Sequence, residues 1–273
     1  MMHHLGSMEK QLRRLGLLLA TVAMLLSGHL AVAADFSGGD VGFFEKVAGS
    51  VDFLNDESYE KPTSEVKVSD PIEPFNRAMF VVNDKFYIWL LEPVATGYSK
   101  VLPADIRTCI GNFFYNLGEP VRSVNCLLQG RFRDAGSTLG RFLINSIFGV
   151  FGLADPAGDE FSIAPRYASF GETLSVWGVG DGFYLVVPLL GPSTLRDFSG
   201  TVVDGVASAT YAPWNDDTVT TATVQGTKVV NRASLHLGEY VEIKSMTFDS
   251  YVAFRNGYYQ MRSKQYDHSQ PSK

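Results

Sequence analysis

The sequence FLINSIFGVFGLA, residues 142–154, is an uncharged apolar run bounded by Arg141 and Asp155. A second uncharged run, GFYLVVPLLGPSTL, occupies residues 182–195 and contains two prolines, which interrupt an α-helix. A transmembrane helix needs about 20 consecutive apolar residues, so neither run is long enough to span a bilayer. Both are too apolar for ordinary surface loops. The sequence therefore predicts that they are buried in a core or lie in one leaflet of a membrane.

The composition of the whole chain is that of a folded protein. Of its 273 residues, 45% are hydrophobic and 12% aromatic, while 19% are charged, which is below the usual ~25%. This balance fits either a protein with functional apolar surface or one with a large core. The net charge is −6, and no basic run beyond the N-terminal region exceeds two residues. Binding to nucleic acid through a basic surface is therefore not expected.

The first 33 residues have the pattern of a secretory signal peptide. Three basic residues precede an apolar segment at 15–26, and Ala31 and Ala33 occupy the −3 and −1 positions of a signal peptidase I site. A retained membrane anchor is the alternative, but the short apolar segment and well-formed site favour cleavage before Ala34. The sequence predicts an exported protein.

Residues 25–29, LLSGH, are similar to the lipobox of bacterial lipoproteins, in which the last position is an acylated cysteine. Here that position is His29, whose imidazole cannot form the thioether. Lipidation is therefore doubtful. Chance similarity in a stretch of small residues is an equally open explanation.

After the signal peptide we predict a loosely packed N-terminal arm at 34–69, a helical domain at 70–263 and a polar tail at 264–273. Within the domain, apolar residues recur at intervals of three to four, which favours an all-α fold. The β-branched segment 218–230 is also interpreted as a helix, because its apolar residues have to join a helical core.

The predicted helix boundaries follow from proline, glycine and capping residues. A first helix is expected to end before Pro93, and further helices are expected to begin at Pro103 and at Glu119. The other helices are predicted at 132–146, 193–207 and about 245–262, with a turn at the glycine-rich segment 178–182.

Residue patterns for catalysis are weak. Beyond residue 29 the histidines are His236 and His268, which lie far apart in the sequence and lack the spacing of metal ligands. The chain has no G-x-S-x-G elbow and no phosphate-binding loop. No catalytic residue, metal or cofactor is therefore predicted.

Cys109 and Cys126 are the two cysteines of the chain. An even number in an exported protein permits a disulfide. Because both lie in apolar surroundings, two buried free thiols are the open alternative.

A series of motifs resembles the MlaA/VacJ family. The motifs are DPIEPFNRAMF (70–80), EPVATGYSKVLP (92–103), NFFYNLGEPV (112–121), VNCLLQG (124–130), GRFLINSIFGVFGLADPAG (140–158), FGETLSVWGVGDGFYLVVPLLGPSTLRD (170–197) and YVAFRNGYYQMR (251–262). They cover nearly all of residues 70–262 in order, so the resemblance is specific. Most relatives end their signal in a lipobox cysteine, and His29 departs from that pattern.

The resemblance implies a ring-like arrangement of amphipathic helices, monotopic in the periplasmic leaflet of the outer membrane of a Gram-negative bacterium. It implies phospholipid transport between the outer and inner membranes: mislocalised phospholipid is removed from the outer leaflet and passed to a soluble periplasmic carrier similar to MlaC. This activity maintains the lipid asymmetry of the outer membrane. The other implied partner is a trimeric porin, and no cofactor is implied.

Two sets of residues are predicted to serve this function, and residues 142–154 are expected to form a helix embedded in half of the bilayer. Residues expected in the acyl region are Phe142, Ile147, Phe148, Phe151, Leu189 and Leu190. Residues expected to contact a lipid head group or line a channel are Asn76, Arg77, Arg141, Asn145, Arg196 and Asp197. For the polar residues that flank the two uncharged runs, the alternative is snorkelling at an interface or pairing within the protein.

Two other functions remain open at this point. The chain could be an exported phospholipid hydrolase with a cleft against the membrane, or a structural, porin-binding module of the periplasm. Release of a fatty acid or head group from vesicles would distinguish the first, and unchanged outer-leaflet phospholipid after deletion would distinguish the second.

Overall fold

A computed structural model describes residues 69–208 and 218–269. The predicted signal peptide, His29, nearly all of the predicted arm and residues 270–273 of the polar tail lie outside the described residues, and the domain boundaries stay predictions. Within the described part the fold is mainly helical, which confirms the predicted class. The elements are α1 (Glu73–Phe86), a π-helical segment (Tyr87–Leu91), α2 (Glu92–Val101), α3 (Ala104–Leu128), α4 (Phe132–Phe148), α5 (Pro156–Asp159), α6 (Phe170–Val176), β1 (Tyr184–Val187), β2 (Gly191–Thr194), α7 (Leu195–Ala207), α8 (Thr218–Leu235), α9 (Glu239–Met246) and α10 (Ser250–Ser269).

The helical path continues through Pro93, so the prediction that a helix stops there is wrong. The π-helical segment links α1 directly to α2, and Pro93 falls in the first turn of α2. A proline is tolerated in that turn because a first-turn N–H has no partner within its own helix. Local sequence rules identified the proline but not the wider turn that accommodates it.

The helix α3 also runs through a proline, Pro120, so the separate helix predicted from Glu119 does not exist. Proline removes the donor to the carbonyl four residues earlier and crowds that turn. In the same turn the guanidinium of Arg122 donates a hydrogen bond to the carbonyl of Tyr115. The carbonyl four residues before Pro120 is that of Asn116, so this bond lies next to the interrupted turn and does not replace the lost one; α3 is continuous all the same.

The helices α3 and α4 form an antiparallel hairpin joined by the short turn 129–131. The Ser123 hydroxyl donates to the Ala135 carbonyl at 3.0 Å, and Asn116 Nδ2 donates to Ser146 Oγ at the same distance near the other end. Gly152 approaches Asn116 so closely that a Cβ atom there would lie 2.6 Å from its side chain. The hairpin is therefore fixed along its length by polar contacts between the two helices.

The second uncharged run forms a two-stranded antiparallel hairpin, a departure from a purely helical fold. The strands pair in the register Tyr184 with Thr194, and the turn between them places Leu189 at φ 65°. Two asparagines of α1 bond the backbone of β1 and of the turn that follows it. Their bonds are Asn76 Nδ2 to Tyr184 O (2.9 Å), Val186 N to Asn76 Oδ1 (2.8 Å), Asn83 Nδ2 to Val187 O (3.0 Å) and Leu189 N to Asn83 Oδ1 (2.7 Å).

The apolar core lies where α1, the π-helical segment, β1 and α8–α10 meet. It is rich in aromatic rings: Tyr87 packs on Tyr240 with centroids 4.4 Å apart, and Phe80 packs edge-on against Tyr251 at 5.9 Å. The buried members are Phe80, Tyr87, Leu91, Ala95, Tyr184, Val186, Ala233, Tyr240, Ile243, Tyr251, Phe254 and Tyr258. Neither α3 nor α4 contributes a residue to this core.

The C-terminal half confirms one prediction and corrects another. Residues 218–230 are helical, as predicted, and belong to α8. The single helix predicted at about 245–262 is instead divided between α9 and α10, with the connection at Thr247 to Asp249.

Candidate functional site

The helix α4 has its polar side chains inside the protein and its apolar side chains outside. Its buried residues are Ala135, Thr138, Arg141 and Asn145. Its exposed large apolar residues are Phe132, Leu139, Leu143, Ile147 and Phe148. A helix at the surface of a water-soluble protein shows the opposite arrangement. The outward face of α4 is therefore suited to an apolar environment.

The neighbouring helix α3 repeats this inverted arrangement. Its buried residues are Asn116, Gly118, Glu119, Ser123, Asn125 and Cys126, whereas Val124, Leu127 and Leu128 are exposed. Together with α4 and the following turn, it exposes many large apolar side chains, which is typical of an interaction with a membrane or a partner. We call the outward side of α3, α4 and residues 149–154 the inverted face.

The six residues predicted for the acyl region do not share one environment. Ile147, Phe148 and Phe151 are 69%, 68% and 77% exposed on the inverted face. Phe142, Leu189 and Leu190 are half-buried. The structure thus exposes part of the first run, whereas the second run is mostly packed against α1.

The first run is helical only to Phe148, so the prediction of one helix through residue 154 is wrong. Val150, Phe151 and Gly152 all have positive φ, at 53°, 59° and 90°, in a turn that follows α4. The turn holds Phe151 outward beyond the end of the helix. Across residues 69–208 and 218–269, none of the helices combines the length and apolarity required to cross a membrane.

The buried side of α3 and α4 holds an ion-pair network centred on Arg141. Its Nη2 donates to both carboxylate oxygens of Asp155, at 2.9 and 2.8 Å, and its Nε donates to Glu119 at 3.2 Å. Asn145 donates to Asp155 at 2.8 Å and accepts from the backbone N–H of Ala157 at 2.9 Å. These bonds tie the end of the first uncharged run back onto the hairpin.

Burial and charge act in opposite directions on the pKa values in this network. Loss of hydration raises the pKa of the Glu119 carboxyl, and the attraction of Arg122 and Arg141 only partly reverses it. For Arg141, burial lowers the pKa, but bonding to Asp155 and Glu119 more than offsets this and raises it. Arg141 therefore remains charged, held by carboxylates inside the protein.

Arg196 and Asp197 belong to a second buried network at the start of α7. Arg196 pairs with Asp181 and donates to the Val179 carbonyl at 3.0 Å. Asp197 accepts from Arg262 Nε of α10 at 2.8 Å and from the hydroxyl of Tyr258. This network joins α7 to α10.

Asn76 and Arg77 also bond within the protein. Asn76 is fully buried against β1 and additionally donates to Asp70 at 2.8 Å. Arg77 is more exposed and bonds Glu73 at 2.7 Å and Asp249 at 2.9 Å. For these residues, as for Arg141, Asn145, Arg196 and Asp197, the structure displays pairing within the protein, and contact with a head group stays a prediction.

Sequence reasoning missed most of the partners in these networks. Besides Glu119, it missed Asn125, whose Nδ2 donates to the buried Asp204 at 2.7 Å. The available signal was the spacing of Asn116, Glu119 and Ser123, which places a polar stripe on a helix whose other positions are largely apolar. No local pattern links Asn125 to Asp204, because 79 residues separate them.

Cys109 and Cys126 are free thiols, so the predicted possibility of a disulfide is excluded in this structure and the alternative holds in part. Both lie on α3, where 17 residues of helix separate them by about 25 Å. A disulfide requires Cα atoms within about 7 Å. Cys126 is buried, whereas Cys109 is only half-buried. In the part of the chain that the structure describes, no cluster of three or more His, Cys, Asp or Glu could hold a metal ion.

Comparison with known proteins identifies relatives over most of the described chain. The family model described as MlaA lipoprotein matches residues 68–265. A Haemophilus influenzae protein named intermembrane phospholipid transport system lipoprotein MlaA is 34% identical over 196 residues, which are 70% of this chain and 77% of that protein. The Escherichia coli protein of the same name is 38% identical over 142 residues, 50% of this chain and 56% of its own length.

A solved structure has a similar fold. It was described in work on the structural basis for maintenance of bacterial outer membrane lipid asymmetry, and it is 31% identical in sequence with a TM-score of 0.62. The similarity covers 72% of this chain and 99% of that one. Sequence and fold thus agree on the same set of relatives.

Proposed function

The chain belongs to the MlaA lipoprotein family, and from this membership we propose that it transports phospholipid between the outer and inner membranes of a Gram-negative bacterium. In this proposal it removes mislocalised phospholipid from the outer leaflet of the outer membrane and so maintains lipid asymmetry. The relatives are named for intermembrane phospholipid transport and the similar solved structure was described in connection with lipid asymmetry, which supports this assignment.

The observation that carries the proposal is the inverted face. The apolar side chains of α3 and α4 point outward while Glu119, Arg141 and Asn145 are enclosed. Each exposed apolar side chain would gain roughly 1.5–3 kcal/mol on leaving water. An embedded position in one leaflet would supply that environment without a membrane-spanning helix.

We further propose a ring-like, monotopic position on the periplasmic side of the outer membrane, with the polar interior serving lipid head groups. A soluble periplasmic carrier would accept the lipid, and a trimeric porin would be the membrane partner. These partners rest on the family resemblance. The relatives are named lipoproteins, whereas this chain has His29 at the expected lipid-bearing position, so the inverted face would have to provide more of the membrane attachment.

The transport proposed here involves no covalent step, and we propose that the protein is not an enzyme. The alternative is a phospholipid hydrolase, and purified protein incubated with phospholipid vesicles distinguishes the two. Release of fatty acid or head group that a single substitution abolishes would overturn the transport proposal.

Substitution on the inverted face tests the membrane position. Phe151→Asp and Phe148→Asp each place a charge where the proposal requires acyl chains, so both should move the protein from the membrane fraction to the soluble fraction. Asn256→Asp, on the exposed side of α10, is the control and should leave the distribution unchanged. Outer-leaflet phospholipid should rise in cells that carry the first two variants. Unchanged partitioning of both would contradict the proposal.

A further inference from the structure

The connection between α9 and α10 exposes a second apolar feature, separate in sequence from the inverted face. Phe248 is fully exposed to solvent, so it has essentially no contact with the rest of the protein. Met246 and Val241, on the adjoining helix α9, are also exposed. We call these three residues the Phe248 knob.

The knob differs from the inverted face because it is attached to a helix of the water-soluble type. The helix α10 buries Tyr251, Phe254 and Tyr258 in the core and exposes polar residues such as Asn256 and Ser263. On a lipid-facing helix, contact with lipid explains an exposed phenylalanine. Beside α10 it requires another explanation, and an exposed apolar group rimmed by polar ones commonly marks a protein interface.

The loop that carries Phe248 is held in place on both sides. Thr247 Oγ1 donates to the Lys244 carbonyl and to Ser250 Oγ, both at 3.3 Å. Asp249 accepts from the backbone N–H of Val252 at 3.2 Å and bonds Arg77 at 2.9 Å. These bonds hold the backbone on either side of Phe248, so a partner would have to order only the phenylalanine side chain and not the loop, which lowers the entropy cost of binding.

The charges around the knob are mainly acidic. Glu242 is exposed on α9, one turn before Met246. The nearby cations are engaged by carboxylates: Lys244 Nζ bonds the buried Asp84 at 2.6 Å, and Arg77 lies between Asp249 and Glu73. A membrane surface presents phosphate anions, which this rim repels. A partner with a cationic rim is electrostatically complementary.

We propose that the Phe248 knob is a docking site for a water-soluble protein that has an apolar pocket bordered by lysine or arginine. Phe248 would fill the pocket, and Glu242 would pair with the basic rim. This inference does not rest on the proposed lipid transport. It uses residues of α9 and the following loop, which the inverted face does not include.

Site-specific photo-crosslinking of the full chain in living cells tests the docking site. Phe248 is replaced by p-benzoylphenylalanine, with the same replacement at Asn256 as the matched exposed control. We expect one discrete protein adduct at position 248 that is about fivefold stronger than any at 256, formed with a protein that osmotic shock releases without detergent. Adding Glu242→Lys should weaken the adduct about tenfold, because an attraction to the basic rim of the partner becomes a repulsion.

Three outcomes would overturn the proposal: no adduct above the level at position 256, an adduct with lipid or with an integral membrane protein, or an adduct that Glu242→Lys leaves unchanged. Thermal unfolding of both variants should match that of the parent chain, because the side chains are exposed. Vesicle flotation of the same proteins reports membrane association independently. Loss of the adduct with normal flotation would therefore count against the docking site and not against the transport function.

Discussion

Asn76 and Asn83, seven residues apart on α1, each exchange a donor and an acceptor bond with the backbone of the second uncharged run, Asn76 within β1 and Asn83 where β1 passes into the turn. Two carboxamides on one helical face thus do for this strand what a neighbouring strand does in a larger sheet. An isolated two-stranded hairpin has little stability in water. The hairpin of the second uncharged run is therefore held to α1 by four hydrogen bonds in addition to its own pairing.

Replacing Asn76 with leucine should destabilise the protein by about 2–4 kcal/mol, because two buried backbone groups of β1 lose their partners. Urea unfolding measures this change. Asn256→Leu is the control on an exposed helical site and should remain within about 0.5 kcal/mol of the parent. Equal stability of the Asn76 variant and the parent would show that water replaces the carboxamide at the strand edge.

The pH dependence of stability should carry a contribution from Glu119. Burial raises the pKa of its carboxyl above the ordinary value of 4.5, so the folded protein binds the proton more tightly than the unfolded chain does. This contribution to stability is complete below pH 4.5 and is lost as the pH rises through the folded-state pKa. Glu119→Gln remains neutral throughout. The free energy of unfolding of the parent minus that of the variant should therefore fall with rising pH.

Urea titrations at intervals from about pH 4 to pH 8 would measure that difference. Glu242→Gln, on an exposed site of α9, is the matched control for loss of a carboxylate. A difference that grows with rising pH for Glu119→Gln would mean that the two arginines, and not burial, dominate at this carboxyl.

The helices α6 and α7 cross at two glycines, and this close approach predicts a large effect of a single methyl group. A Cβ atom on Gly200 would lie 2.2 Å from the backbone nitrogen of Gly171 and 2.5 Å from its Cα. Gly200→Ala should therefore cost about 1–3 kcal/mol through overpacking. Gly136→Ala, in the interior of α4 with nothing within 4 Å, should stabilise by about 0.5–1 kcal/mol. Thermal unfolding measures the change in stability of each variant relative to the parent. Equal changes in the two variants would exclude the close contact.

The sequence was sufficient for the parts of the fold that depend on local pattern. The helix α4 was predicted from its apolar spacing, and the β-branched α8 was predicted as a helix because its apolar residues have to join a helical core. Pro93 and Pro120 were misread because Pro93 is accommodated by the π-helical segment before it and Pro120 by a helix that continues on both sides to Leu128. Neither is visible in the local proline rules.

The candidate site was only partly accessible from the sequence. Exposed Ile147, Phe148 and Phe151 follow from the uncharged run itself. The partners of Arg141 do not, because Glu119 precedes it by 22 residues on another helix, and an isolated arginine beside an apolar run resembles an interfacial residue. Long-range pairing of charges is set by tertiary packing, which composition and spacing do not encode.

The two thiols give a direct chemical test of the continuous helix α3. Because about 25 Å of helix separates Cys109 from Cys126, the protein purified without reductant should react with two equivalents of an alkylating reagent after denaturation. Before denaturation, Cys109 should react faster, since Cys126 is buried and burial raises the pKa of its thiol. Mass spectrometry counts the alkyl groups. A product without them would indicate a disulfide and a broken α3.

The helix α7 predicts a further lipid contact, because it shares the inverted arrangement of α3 and α4 although neither uncharged run includes most of it. It buries Arg196, Asp197 and Asp204, while Leu195, Val203 and Val206 are exposed, Val206 at 70%. If the proposed membrane position is correct, Val206→Asp places a charge among acyl chains at a cost of about 2.5–3.5 kcal/mol at most. Flotation with phospholipid vesicles should then decrease, whereas Asn256→Asp should float like the parent. Normal flotation of Val206→Asp together with loss of flotation by Phe151→Asp would restrict the lipid-facing surface to α3, α4 and the turn that follows them.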